Sequence, residues 1–226
     1  LSYNIPHPLC SLTDVKTAMS VDDTSDDYQL SMCIEAASRE IEQYCGRHFW
    51  QTSTVYAHIM TALNSWEVLF PEDVMTLNGL EIALDMAGDG TFSTVLENPT
   101  QNEDGSLTGG DFQLEPLNGR LNGQRWPWER YQMVASQYNP IWGGIAYPRP
   151  YVQALVKITA QWGWDYVPVP VKRACIYETI SLLKAGDVPF GATAFGESGV
   201  LRLRPTMHPT AERLLIPYGR DEVPVF

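Results

Sequence analysis

The side chains that could do chemistry are spread along this chain rather than gathered. Its four histidines, His7, His48, His58 and His208, fall in four different segments, and no His-x-x-x-His or Cys-x-x-Cys pair supplies metal-ligand spacing. Cys10, Cys33, Cys45 and Cys175 lack that spacing too, and read as buried free thiols suited to a reducing cytoplasm. Gly196-Glu197-Ser198-Gly199 approaches the Gly-x-Ser-x-Gly turn that exposes a nucleophilic serine, but the fifth position is Val200. There is no phosphate loop and no Gly-x-Gly-x-x-Gly. Asp85 with Asp89, and Glu72 with Asp73, could be imagined as acid and base, yet aspartates beside turn residues more commonly serve the turn. Asp22, Asp23, Asp26 and Asp27 crowd six residues, a density that invites calcium, without the glycine and closing glutamate of an EF-hand loop. The expectation is a chain that is not an enzyme and has no metal and no cofactor.

Seven aromatic residues, Trp126, Trp128, Tyr131, Tyr138, Trp142, Tyr147 and Tyr151, crowd a proline- and glycine-rich region. They can form a stacking platform for sugars or a protein contact, which would make the chain a carbohydrate- or host-surface-binding module. They can equally pack the loops of a β-rich unit onto itself. Both readings stand at this level.

Composition narrows the classes. With 226 residues, 44% apolar and 19% charged, the chain is ordered and long enough for one large domain or two small ones. Its first residues lack the basic segment and apolar run of a secretory signal, and the long uncharged stretch from Tyr131 holds Pro140, Gly143 and Gly144, so it is no membrane span. The net charge of −12 is uneven: residues 1–120 carry 4 basic against 19 acidic side chains, residues 121–226 carry 11 against 8. Such an acidic half repels a phosphate backbone and excludes a groove-reading DNA binder. It suits a surface past which nucleic acid must slide without sticking, or plain solubility.

These residues rest on a small set of elements. Pro6 and Pro8 mark an extended arm. Ser11-Leu12-Thr13-Asp14 has capping-box spacing and opens a short helix with Val15 and Ala18 inward. Asp26 and Asp27 then stand at the positive end of a second helix, which Gly46 stops. Leu30, Ile34, Ala37, Ile41 and Tyr44 form its apolar face, with Glu35, Ser38, Arg39 and Glu42 opposite. Arg47, just past the stop, is placed to tie down a local carbonyl or carboxylate. From Trp50 the period changes to two: Val55, Ala57 and Ile59 alternate with polar and aromatic neighbours, as do Leu80, Ile82 and Leu84. Val152 to Trp162 is the longest strict alternation. Pro170 opens a third helix, Val171 to Ala185, apolar nearly all round through Ile176, Ile180 and Leu183, and therefore covered on more than one side. Residues 187–226 have too few apolar side chains to fold alone and need another surface.

The fold class expected is α+β: a small helical bundle of three to four helices with an inserted β-rich unit and an extended C-terminal arm. The boundaries read as 1–49 for the first part of the helical core, 50–167 for the insertion, 168–186 for the last core helix and 187–226 for the extension.

The stretch Ile34-Glu35-Ala36-Ala37-Ser38-Arg39-Glu40-Ile41-Glu42-Gln43-Tyr44-Cys45-Gly46-Arg47-His48-Phe49, behind a short capped helix and an acidic loop, resembles the head-to-tail adaptor (connector) proteins of tailed phages. Val156–Trp164 leading to Val167-Pro168, the helix Val171–Lys184, and Asp187–Gly191 with Leu214–Tyr218 are similar to parts of the same family. The resemblance covers about half the chain, at both ends. It implies a virion structural protein of the neck, assembled in the host cytoplasm as a ring of about twelve copies under the portal. That ring would extend the DNA channel and carry the stopper and tail, with DNA passing unbound and no membrane involved. By the same resemblance the C-terminal segment reaches the portal. Phe190, Arg202, Arg204, Arg213 and Tyr218 are the contact candidates, arginine forks suiting acidic or carbonyl acceptors. Asp22, Asp23, Asp26 and Asp27 are candidates for the channel or the stopper-facing rim.

Overall fold

A computed structural model describes residues 5–61, 67–85, 89–103, 106–117, 120–121, 124–133, 155–186, 195–196, 199–200 and 207–220. The fold is α+β, in two compact units. One comprises residues 1–49 and 166–221, the other 50–165 with 222–226, so the second interrupts the sequence of the first.

The helical unit begins with α1 (Leu12–Met19). The Ser11 side chain accepts from the Asp14 amide while the Asp14 carboxylate accepts from the Ser11 amide, completing the expected capping box. Val15 is buried, but Ala18, expected beside it on the inner face, is exposed. α2 (Asp27–Cys45) follows and ends at Gly46, whose φ of 61° is the left-handed value that a side chain would disfavour. Its buried residues are Leu30, Ser31, Ile34, Ala37, Ser38, Ile41, Glu42 and Cys45.

The packed arc of α2 is therefore turned from the one its apolar residues predict. Tyr44 lies outside it, 43% exposed, and the expected polar face supplies Ser38 and Glu42 to the interior. Ser31, Ser38 and Cys45 recur every seven residues, two turns apart, and their small side chains let another helix approach closely. That helix is α3 (Val169–Gly186), which packs against α1 and α2.

In the β-rich unit the strands are β1 (Tyr56–Thr61), β2 (Glu67–Val74), β3 (Glu81–Asp85), β4 (Thr94–Val95), β5 (Thr100–Gln101), β6 (Leu107–Thr108), β7 (Phe112–Glu115), β8 (Arg120–Leu121), β9 (Gln124–Arg125), β10 (Trp128–Met133) and β11 (Leu155–Ala160). An antiparallel sheet runs in the order β1-β11-β3-β4, a second in the order β2-β10-β7, and β5-β6 and β8-β9 form small ribbons. Inward residues of both larger sheets meet in one cluster around Phe70, Phe112, Tyr131, Ile158 and Trp162. β11 shows the reason: Val156, Ile158 and Ala160 are buried while Leu155, Lys157 and Thr159 are half-buried.

β1 keeps the expected period and reverses its phase. Val55, Ala57 and Ile59 are exposed, Ile59 by 57%, while Met60 is buried and His58 half-buried. The rings of Tyr56 and His58 lie 6.1 and 5.0 Å from that of Trp162, and both side chains donate to the Glu72 carboxylate, at 2.6 and 3.0 Å. Alternation sets which residues share a face, and the aromatic and carboxylate partners decide which face turns inward.

In the helical unit, Phe195–Gly196 and Gly199–Val200 pair as antiparallel strands (β12 and β13), and Glu197 and Ser198 lie outside the described residues. α4 (Pro209–Leu215) then packs on α3 and runs into a 3-10 turn, Ile216–Tyr218.

Candidate assembly interface

Residues imagined as catalytic are occupied in holding the fold. The Asp85 carboxylate is buried and accepts from the backbone amides of Asp89 and Gly90, at 3.2 and 2.8 Å. Asp73 is buried and accepts the Trp164 indole N–H at 2.6 Å. Glu72 is shared by Tyr56 and His58, and loss of solvent around the phenol, reinforced by the Glu72 contact, pushes the Tyr56 hydroxyl up from its ordinary value. Of the aromatic cluster, Trp128 and Tyr131 are buried in the β-rich core, and Trp126 stands edge-on to Trp164 at 5.3 Å. Tyr138, Trp142, Tyr147 and Tyr151 lie outside the described residues. Among the described residues no group of three His, Cys, Asp or Glu side chains is placed to hold a metal, and no helix is long and apolar enough to cross a membrane.

What the helical unit offers instead is outward apolar surface. On α2, Tyr28, Met32 and Ala36 follow one another at steps of four on the side away from the packed arc, with Tyr28 55% and Met32 42% exposed. α3 buries Val171, Ala174, Cys175, Glu178 and Thr179, spaced as one face. Ile176, Ile180 and Leu183, expected in the core, are half-buried and line up with Val169, 71% exposed, on the opposite side of the helix. The expectation of an all-round buried helix is thus met on one face only within a single chain.

The acidic candidates separate into two kinds. Asp23 accepts from the Ser25 amide at 3.0 Å and from its hydroxyl, which holds its carboxyl below the usual range, and its carbonyl accepts from Lys16. Asp27 is paired with Lys16 at 2.8 Å. Asp22 and Asp26 are exposed, and Asp26 occupies the N-cap of α2 without a side-chain cap bond.

Residues 207–220 of the expected extension find their surface in their own unit. Glu178, buried on α3, accepts the His208 amide at 2.7 Å, and the Tyr177 ring stacks on the His208 imidazole at 5.7 Å. Met207, Ala211 and Leu215 are buried. At the far end, the Arg47 guanidinium donates to the Tyr218 carbonyl at 2.8 Å and the Arg220 amide to the Cys45 carbonyl at 2.9 Å. Arg47 does tie down a carbonyl, but one 171 residues away. Tyr218, singled out as a contact residue, is 5% exposed and meets Phe49 edge-on at 6.2 Å, so its ring serves its own unit. Arg213 is exposed in the last turn of α4, while Phe190, Arg202 and Arg204 lie outside the described residues.

Sequence reasoning missed two polar devices. The buried Glu42 carboxylate meets Arg39 at 3.1 Å and His48 at 3.7 Å, while Arg39 also donates to the His7 carbonyl at 2.9 Å. The Leu9 amide donates to Ser38 at 3.1 Å. Together they hold the N-terminal arm on α2. The seven-residue spacing of small residues was the available signal for Ser38; nothing in the sequence pattern marks Glu178.

Comparison with known proteins bears on the helical segment. Residues 10–73 match the family model described as phage gp6-like head-tail connector protein. Among solved structures, the chain is similar to one from the "neck of empty GTA particle computed with C6 symmetry", at 14% identity and a TM-score of 0.47 over 98% of this chain and 95% of that one. It is also similar to one from the "virion of native gene transfer agent (GTA) particle", at 13% identity and 0.48 over 98% and 94%. No curated protein matches the chain. The family match spans α1, α2 and the chain onward into β2, and the stretch from Ile34 to Phe49 lies within it: over these residues the protein resembles the phage head-tail connector family.

Proposed function

We propose that this chain is a structural subunit of a phage-type virion neck, a head-to-tail adaptor that assembles as a ring beneath the portal and continues the DNA channel toward stopper and tail. The observation that carries the reading is the connector-family match over residues 10–73, which takes in the capped helix pair. Apolar stripes outward on both α2 and α3 support it, because a subunit with neighbours on two sides needs two such surfaces. The acidic balance supports a channel through which DNA passes without being held. The test is negative-stain imaging of the protein co-expressed with the portal protein of the same virus. A ring capping the portal is the expected result, and a persistent monomer that ignores the portal overturns the proposal.

Two finer assignments belong to the same reading. Exposed Asp22 and Asp26, with Asp23 and Asp27 beside them, approach the channel or the stopper-facing rim; an assembled neck that carries all four on its outer circumference refutes this. Portal docking is assigned to Phe190, Arg202, Arg204 and Arg213, leaving Tyr218 to the helical unit. Removing residues 187–226 whole would strip the cover from α3, so the informative variant is the triple substitution Arg202→Ala, Arg204→Ala and Arg213→Ala. It should fold normally and lose portal binding; unimpaired binding refutes the assignment.

A further inference from the structure

Cys10 and Cys175 are 165 residues apart in sequence, yet their sulfurs lie 3.3 Å apart in the interior of the helical unit. Cys10 is the last residue of the N-terminal arm before the N-cap of α1, and Cys175 lies on the buried face of α3. The separation is a thiol–thiol contact, and modest closure brings the sulfurs to bonding distance. We infer that Cys10 and Cys175 form an oxidant-driven disulfide that locks the N-terminal arm to α3.

The pair is set up for that chemistry in one direction. The Cys10 S–H donates to the Cys175 sulfur, so Cys10 stays protonated well above its ordinary range, and burial adds to this. Cys175, accepting that bond, is the sulfur that ionises first. Ser38, whose hydroxyl hydrogen goes to the Ile34 carbonyl at 2.7 Å, lies 3.6 Å from Cys175, and the Thr179 hydroxyl beside it adds to the polar surroundings of that sulfur. The oxidant is hydrogen peroxide, supplied from outside and reaching the buried pair when the N-terminal arm opens. The Cys175 thiolate attacks one peroxide oxygen, the O–O bond breaks, and water leaves after proton uptake, giving a sulfenic acid. The Cys10 sulfur then attacks the sulfenic sulfur, an S–S bond forms, and the S–O bond breaks to release a second water. Two thiols lose two electrons and two hydrogens, and one peroxide is reduced to two waters.

Neither Cys33, half-buried on α2, nor Cys45, at its C-terminus, has a sulfur partner among the described residues, so the linkage is specific. The experiment treats the full chain with equimolar hydrogen peroxide, then maps peptides without reduction. The expected result is an intact mass lower by about 2 Da, a linked peptide joining residues 10 and 175, and a melting midpoint raised by about 5–10 °C. Dithiothreitol should reverse all three. The linked peptide should vanish in Cys10→Ser and persist in Cys33→Ser. A mass gain of about 16 Da or more with both peptides unlinked, or an unchanged thiol count, overturns the inference. The wild-type peptide map decides this even should Cys10→Ser fold poorly.

Discussion

In the β-rich unit the largest side chains face inward: Trp162, Trp164, Tyr131, Phe70 and Phe112 are each fully buried. In the helical unit the packed surfaces mix aliphatic residues, Leu30, Ile34, Ile41 and Leu215, with small ones, Ala37, Ser38, Ala174, Cys175 and Ala211, while Tyr28, Met32, Val169 and Ile216 face outward. Among its described residues, the first unit gathers these aromatic rings in its own interior. The second lets its helices approach through small residues between the aliphatic ones, and aligns further apolar groups on its surface. The sequence splits its charge the same way, with 14 acidic against 5 basic residues in the β-rich unit and 13 against 10 in the helical one. One unit is thus strongly acidic and the other nearly balanced in charge, while both carry exposed apolar side chains, Val55, Ile59, Val95 and Leu117 in the first and Tyr28, Met32, Val169 and Ile216 in the second. The proposed assembly surface is placed on the helical unit because its outward apolar residues line up along α2 and α3 and the connector-family match takes in α1 and α2, while the buried aromatics Trp128 and Tyr131 offer a sugar no platform.

That contrast can be broken most directly from the interior of the β-rich unit. Trp162→Ala removes the ring that Tyr56, His58 and Phe70 surround, and should cost about 4 kcal/mol of that unit's stability. Near-ultraviolet circular dichroism should collapse while the helical signal at 222 nm persists; simultaneous loss of both would show that the units do not fold separately. In the helical unit, Ile34→Ala should cost about 3 kcal/mol, read by urea denaturation at 222 nm. Removing the acceptor of a buried indole by Asp73→Ala should cost about 2 kcal/mol, again confined to the β-rich unit.

The outward surface makes the opposite prediction. Tyr28→Ala with Met32→Ala should change the stability of the isolated chain by less than about 0.5 kcal/mol, because both side chains are exposed. The same double variant should fail to form rings with the portal in negative stain. A stable variant that still assembles would place the working surface elsewhere.

The smallest effect lies at the start of α1. Bonds from Ser11, and the Lys172 ammonium at 2.9 Å, hold the Asp14 carboxyl down from its ordinary 3.8 to about 2. A carboxylate lowered in the folded state stabilises it above pH 3.8, and that stabilisation drains away as the pH falls through about 2. Asp14 is partly exposed and screened, so Asp14→Asn should cost only about 0.5 kcal/mol at pH 7. The difference from wild type should disappear near pH 2 in thermal melts; a difference that persists there would assign the effect to helix propensity instead.

Much of the helical unit could be read along the chain. The capping box at Ser11, the stop at Gly46 and the opening of α3 by Pro170 depend on residues within a turn of one another, so spacing alone carries them. The phase of β1 and the arc of α2 could not be read, because each depends on partners far off. His58 turns toward Trp162 and Glu72, with Tyr56 bonded to the same carboxylate at the surface, and Ser38 and Glu42 turn inward for Leu9, His48 and Arg39. Periodicity states which side chains travel together, and it is indifferent to which side the neighbour stands on.

The same division governs the end of the chain. The helical turns before Pro217 follow from local pattern. Their berth against α3 rests on Glu178 meeting the His208 amide and on Arg47 meeting the Tyr218 carbonyl, contacts that exist only once the chain has closed on itself. Local covalent geometry and side-chain period decided the caps, stops and strand alternation; long-range closure decided which faces were consumed inside the chain and which were left for a neighbour, because burial is a property of pairs of surfaces rather than of single residues.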